Sequence, residues 1–186
     1  MILIAVVAAW LLAEAGPVTG AEPPARTASE YQVKAAFVYN FAKFVEWPPP
    51  VDGPAGFCVF GEATVFSALE QVVRGKLIAG RTVEVKRLKQ VEDPRRECQI
   101  LFIAGGDAGS AQERAAALAE GSSAGVLTIG ESDGFLESGG IINFLLKDKK
   151  VRFEINLAAA RKARLTISSK LLQLAADVRG DAESGK

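Results

Sequence analysis

"RRECQILFIAGG", residues 95–106, decides the fold of this chain. Ile100 to Ala104 form an unbroken apolar run that closes on Gly105-Gly106, the pattern of a short strand buried on both faces. Strands of that kind belong to parallel sheets covered by helices, so strand and helix signals should alternate on either side. Cys98, one of only two cysteines, stands just before the run.

The alternation is there. Upstream, Phe57–Phe60 (FCVF) is a second apolar strand closing on Gly61. Thr64 can cap a helix through Gln71–Arg74, with Val65, Leu69, Val72 and Val73 on one face and Gly75 at its end. Thr82–Leu88 (TVEVKRL) alternates as a half-exposed strand. Downstream, Ser110 and Glu113 have capping-box spacing for a helix over AQERAAALAE, with Gly121 as its stop, and Val126–Ile129 is a fourth strand. IINFLL and VRFEI flank the polar turn KDKK as a β-hairpin. Asn156 caps LAAARKAR, and Ser168 or Ser169 starts a last helix over KLLQLAADV. The expected fold is α/β: a three-layer sandwich with a mostly parallel sheet in flavodoxin-like order, plus a C-terminal β-hairpin.

An earlier helix precedes these elements. In YQVKAAFVYNFAKFVEW, Val33, Phe37, Val38, Phe41, Phe44 and Val45 share one arc, Gln32, Asn40, Lys43 and Glu46 lie opposite, and Lys34 intrudes on the apolar side. Ser29 with Gln32, or Thr27 with Glu30 a turn earlier, can start it, and Trp47 followed by three prolines ends it. The aromatic stripe reads as core, with a partner-binding face as the alternative.

Before that helix, Ile2–Ala13 carry no charge and lead into small residues, as in a secretory signal with cleavage after Gly20 or Ala21, although no Lys or Arg precedes the apolar run. The expected organisation is a signal peptide over 1–21, a linker over 22–29, one domain over 30–179 and a disordered tail over 180–186. Removing the signal takes away Glu14 alone among charged residues and leaves 22 basic against 21 acidic. That balance predicts no nucleic-acid partner, no membrane-surface signature and no membrane insertion after cleavage.

The composition restricts the chemistry. With no histidine, His-based triads, His metal sites and the commonest general base are excluded. Ser168-Ser169-Lys170 lacks the S-x-x-K spacing, and two cysteines fall short of a zinc ligand set. We expect no enzyme, no cofactor and no metal. Gly61, Gly105, Gly106 and Gly130 fall on the C-terminal rim of the sheet, where such folds bind ligands, but each turn carries an acid (Glu62, Asp107, Glu131) and no phosphate-binding motif. Tight turns explain them more simply. Asn143, Arg152 and Asn156 complete this weak ligand set, with hairpin packing and helix capping as their simpler explanations.

The cysteines divide the same way. In flavodoxin-like order Cys58 and Cys98 lie near the starts of neighbouring parallel strands, within the distance a disulfide tolerates, and an exported protein meets an oxidising compartment. A structural bridge is the preferred reading, and free or redox-active thiols are the alternative.

Seven stretches in order, YQVKAAFVYNFAKFVEWP, FCVFGE, CQILFIAG, VLTIGE, GFLESGGIINF, VRFEIN and ISSKLLQLA, resemble the YfiR-like family of exported bacterial proteins over nearly all of residues 30–178. The resemblance implies an α/β domain that tends to dimerise. Its best-known member is a periplasmic repressor of an inner-membrane diguanylate cyclase, which keeps cyclic di-GMP low and limits biofilm formation. Cys58 and Cys98 match a cysteine pair of the family, whereas the second pair of that repressor has no counterpart here. The expected function is therefore a non-enzymatic periplasmic regulator, a homodimer that binds the periplasmic domain of a membrane diguanylate cyclase. The alternative is a periplasmic small-ligand-binding module of a sensor or transport system.

Overall fold

The structure, a computed structural model, describes residues 28–49, 53–61, 63–89, 97–106, 109–123 and 125–180. The expected signal peptide, residues 22–27 of the linker and residues 181–186 of the tail lie outside the described residues. In chain order the elements are α1 (Ala28–Phe44), β1 (Val45–Glu46), β2 (Ala55–Phe60), α2 (Ala63–Val73), β3 (Leu77–Ile78), β4 (Arg81–Leu88), β5 (Ile100–Ile103), α3 (Ala111–Ser123), β6 (Leu127–Gly130), β7 (Ile142–Lys147), β8 (Lys150–Asn156), α4 (Leu157–Lys162), β9 (Thr166–Ile167), α5 (Ser169–Leu172) and β10 (Asp177–Arg179).

Eight strands form one sheet in the order β10-β8-β7-β6-β5-β2-β4-β3. Its centre, β4-β2-β5-β6-β7, is parallel throughout and has the 2-1-3-4-5 order of flavodoxin-like domains. β8 runs antiparallel to β7, and β3 runs antiparallel to β4 at the far edge. The β7–β8 hairpin turns through Asp148 and Lys149, both at positive φ (52° and 59°), the two-residue geometry that matches strand twist.

Two apolar layers sandwich the sheet. Phe57 and Val59 of β2, Ile100 and Phe102 of β5 and the buried side of α1 and α2 form one core cluster. Cys58, Phe60, Leu101 and Ile103, which alternate with them, pack with Ala117 and Leu118 of α3 on the other face. An aromatic group of Phe37, Phe41, Phe144 and Phe153, with centroids 4.8–6.1 Å apart, joins α1 to the hairpin. The aromatic stripe is thus core.

Several boundaries differ from the sequence reading, each for a local reason. The buried stripe of α1 is Tyr31, Lys34, Ala35, Val38, Phe41 and Ala42, so Val33 is left 45% exposed and the intruding Lys34 is buried. The helix begins at Ala28, inside the expected linker, and stops at Phe44, because Val45–Glu46 pair with β9 before Trp47 is reached. α3 runs through Gly121, where a Cβ would meet Thr128 Cγ2 at 2.8 Å and Leu101 Cδ2 at 3.0 Å. That glycine allows close helix–sheet approach and is no stop. Ser168 does cap α5, but the helix spans only Ser169–Leu172, and Asp177–Arg179 add a parallel strand to β8. Asn156 caps α4 as expected, its Oδ1 accepting from Ala159 N at 3.0 Å.

The capping box of α3 forms with both of its bonds. Ser110 N donates to Glu113 Oε2 (2.6 Å), and Glu113 N donates to Ser110 Oγ (3.2 Å). The Ser110 backbone bond, then its side-chain bond, hold the Glu113 carboxyl below its ordinary value of 4.5. A depressed folded-state value stabilises above the unfolded-state value, and the contribution is lost as pH falls through the folded one. Glu113→Gln should therefore be less stable than wild type at neutral pH, and the melting-temperature gap should close on acidification below about pH 4. A gap unchanged between pH 7 and pH 3 would contradict this.

Candidate functional site

The C-terminal ends of β2, β5 and β6 lie side by side, because Phe60 pairs with Ile103 and Ile103 with Gly130. Asn143 of β7 pairs with Gly130 and completes the row. The rim therefore brings together Gly61, Gly105, Gly106, Gly130 and Asn143. Arg152 stands two residues beyond it, opposite Leu145, while Asn156 lies below it. The Asn156 side chain caps α4 and donates from Nδ2 to Leu136 O at 3.0 Å.

Side chains of this chain occupy the rim turns. Arg87 donates to Gly61 O from Nε (3.1 Å) and Nη2 (2.8 Å). Arg114 Nη1 donates to the carbonyls of Gly106 and Gly109. The ring of Phe135 lies on Gly130 and Gly140, at 2.4 and 2.1 Å from where their Cβ atoms would sit. Neither position can carry a side chain without displacing the ring. The Oδ1 of Asn143 is buried with no hydrogen-bond partner among the described residues.

A buried ionic group closes the rim against α1. Lys34 Nζ lies 2.6 Å from Glu131 Oε2 and 2.5 Å from Glu30 Oε1, one turn back on the helix. Glu131 Oε1 accepts from Gly105 N (3.0 Å) and from Tyr31 Oη (3.4 Å). Lys34 and Glu131 are both nearly inaccessible, so the charges are paired and hydrogen-bonded where water cannot serve them. The acid read as an obstacle to phosphate in the third turn is thus the anchor of α1. The lysine on the apolar arc was its visible signal, but nothing local named the partner.

The strand order reverses between β2 and β5, the switch point at which open α/β sheets bind ligands. A cleft of about 470 Å³ opens beside it, lined by Phe60, Gly61, Arg87, Lys89, Gly109 and Glu113. Among the described residues no group of three or more His, Cys, Asp or Glu side chains converges as a metal site would. No described helix is long and apolar enough to cross a membrane.

Cys58 and Cys98 are joined in a disulfide, with Cα atoms 5.6 Å apart, inside the second core cluster. The bridge is diagonal, not between strand starts as expected. Cys58 is in register with Leu101, and Cys98 precedes β5. The chain reaches across because Gly56 has no side chain: a Cβ there would sit 1.7 Å from Glu97 O. Gln99 N then bonds Gly56 O at 2.8 Å.

The fold and rim define a disulfide-stapled, flavodoxin-like α/β domain whose first helix is pinned to the sheet by a buried ion pair. Residues 31–176 match the family described as YfiR/HmsC-like, and the chain belongs to that family. No curated protein matches it. Among solved structures it is similar to a conserved domain protein from Vibrio cholerae (12% identity, TM-score 0.53). It is also similar to the ABC domain from Streptococcus pneumonia in complex with L-Trp (11% identity, TM-score 0.54). Each alignment covers 80% of this chain and 60% of the other, so the likeness is one of fold, and the chain spans 60% of their length.

Proposed function

We infer that this chain is a non-enzymatic periplasmic regulator that, as a homodimer, binds the periplasmic domain of an inner-membrane diguanylate cyclase and represses it, lowering cyclic di-GMP and biofilm formation. Membership of the YfiR/HmsC-like family carries the reading. The buried disulfide supports an oxidising compartment, and the absence of histidine from the sequence supports a role without acid–base catalysis. Deleting the gene should raise cellular cyclic di-GMP, and the exported protein alone should reverse the rise. Unchanged levels on deletion would sink the repressor reading.

The cleft at the switch point favours a second reading, a small-ligand-binding module of a sensor or transport system. Arg87 and Lys89 on one side and Glu113 on the other offer opposite charges to a small polar ligand. Of the ligand set read from the sequence, Gly61 lines this cleft, whereas Gly105, Gly106, Gly130, Asn143, Arg152 and Asn156 are not among its lining residues. A metabolite screen by thermal shift that moves nothing would remove this reading.

A further inference from the structure

The β7–β8 hairpin is a local concentration of positive charge in a chain whose charges balance. The sequence holds 22 Lys and Arg against 22 Asp and Glu. Residues 147–152 nevertheless carry Lys147, Lys149, Lys150 and Arg152 against Asp148 alone, and all five side chains are exposed. None of the four cations forms an ion pair among the described residues; the nearby acid Glu154 is held by Arg179 at 3.3 Å. Register makes the hairpin protrude. Asn143 is level with the rim, and the strand continues to Lys147, which carries the tip about 13 Å further at about 3.3 Å per residue.

Exposed apolar residues lie on the face opposite Lys147, Lys150 and Arg152, which alternate with Leu146 and Val151 along the two strands. Leu146, on the face that carries Phe144, is 51% exposed and precedes the tip. On the same side of the sheet Val33 of α1 is 45% exposed, and Leu174, just after α5, is 65% exposed. These are three of the four large apolar residues exposed in the described structure.

The residue types favour one partner. Protein interfaces are enriched in aromatic residues and depleted of Lys, whereas this projection has three lysines, one arginine, a leucine and no aromatic side chain. A tip that enters end-on, with long lysine side chains on one face and Leu146 on the other, presents ammonium groups to anionic headgroups and an aliphatic side chain to the layer beneath. We propose that the β7–β8 tip docks on an anionic phospholipid bilayer, Leu146 entering the headgroup layer while Lys147, Lys149, Lys150 and Arg152 meet lipid phosphates. The contact is peripheral. It stands apart from the cyclase reading, because it needs no protein partner.

The test is co-sedimentation of the exported protein with phosphatidylcholine vesicles, plain or containing about one-third phosphatidylglycerol. Wild type should bind the anionic vesicles, more weakly at raised salt, and leave the neutral ones. The variant Lys147→Thr/Lys149→Asn/Lys150→Thr keeps strand-compatible residues and an Asn at the positive-φ position, so its melting temperature should match wild type. Its affinity for anionic vesicles should fall on the order of a hundredfold, about fivefold per lysine. Equal binding to both vesicle types, or a triple variant that binds like wild type, overturns the proposal. If wild type ignores both vesicles and the triple variant instead loses a complex with a cyclase periplasmic domain, the tip is a protein-docking surface and the lipid assignment is wrong.

Discussion

Lys34→Met should lower the stability of this domain by about 3–5 kcal/mol, because it removes one partner of a buried ion pair and strands the other. Glu131 keeps its bonds from Gly105 N and Tyr31, but its Oε2 loses the ammonium group 2.6 Å away, and Glu30 loses the same cation. At about 2–4 °C per kcal/mol for a domain of this size, the melting temperature should drop by roughly 10 °C. The double variant Lys34→Met/Glu131→Gln should recover most of that loss. It leaves no lone charge at the Glu131 site, and glutamine can still accept from Gly105 N through Oε1. A Lys34→Met protein melting within about 2 °C of wild type would show that the pair contributes little and that α1 is held by its apolar contacts.

Gly56→Ala should cost at least about 3 kcal/mol, at or beyond the upper end of ordinary overpacking. The clash is with backbone, the carbonyl of Glu97 at 1.7 Å, so no side-chain rotation relieves it. Moving residues 97–98 away also pulls on the Cys58–Cys98 bridge and on the bond from Gln99 N to Gly56 O. Removing the bridge itself by Cys58→Ala/Cys98→Ala should cost about 4 kcal/mol, the chain-entropy value for a loop of 40 residues. The two losses share one crossing, so the triple variant should be more stable than their sum implies. Melting curves of the three proteins at one pH decide this. Strict additivity would mean that Gly56 and the bridge act independently.

The rim shows why part of the molecule was legible and part was not. Strand–helix alternation, the Ser110–Glu113 box, the Asn156 cap and the turn after Lys147 are local patterns, each written within a few residues. The helix limits were harder. Phe44 ends α1 because Val45–Glu46 find a partner in Thr166–Ile167, more than a hundred residues along the chain. Likewise Asp177–Arg179 join β8 where a helix was expected, their backbone groups taken up by parallel pairing and the Arg179 guanidinium facing Asp177, Glu137 and Glu154. Local propensity yields to pairing in both places.

By itself the sequence determined the α/β class and the hairpin, because alternating periodicity and capping chemistry are properties of neighbouring residues. The family followed from the resemblance of seven stretches, and the flavodoxin-like order was an expectation that the strand pairings met. Only the tertiary structure decided what the odd residues do. Lys34 became half of a buried pair with Glu131, Gly56 a crossing point for the chain, Gly130 and Gly140 the seat of Phe135, and the KDKK turn a basic projection past the rim. The roles of Lys34 and Gly56 depend on contacts between residues distant in sequence, and the spacing of residues along one chain does not specify which distant groups will meet.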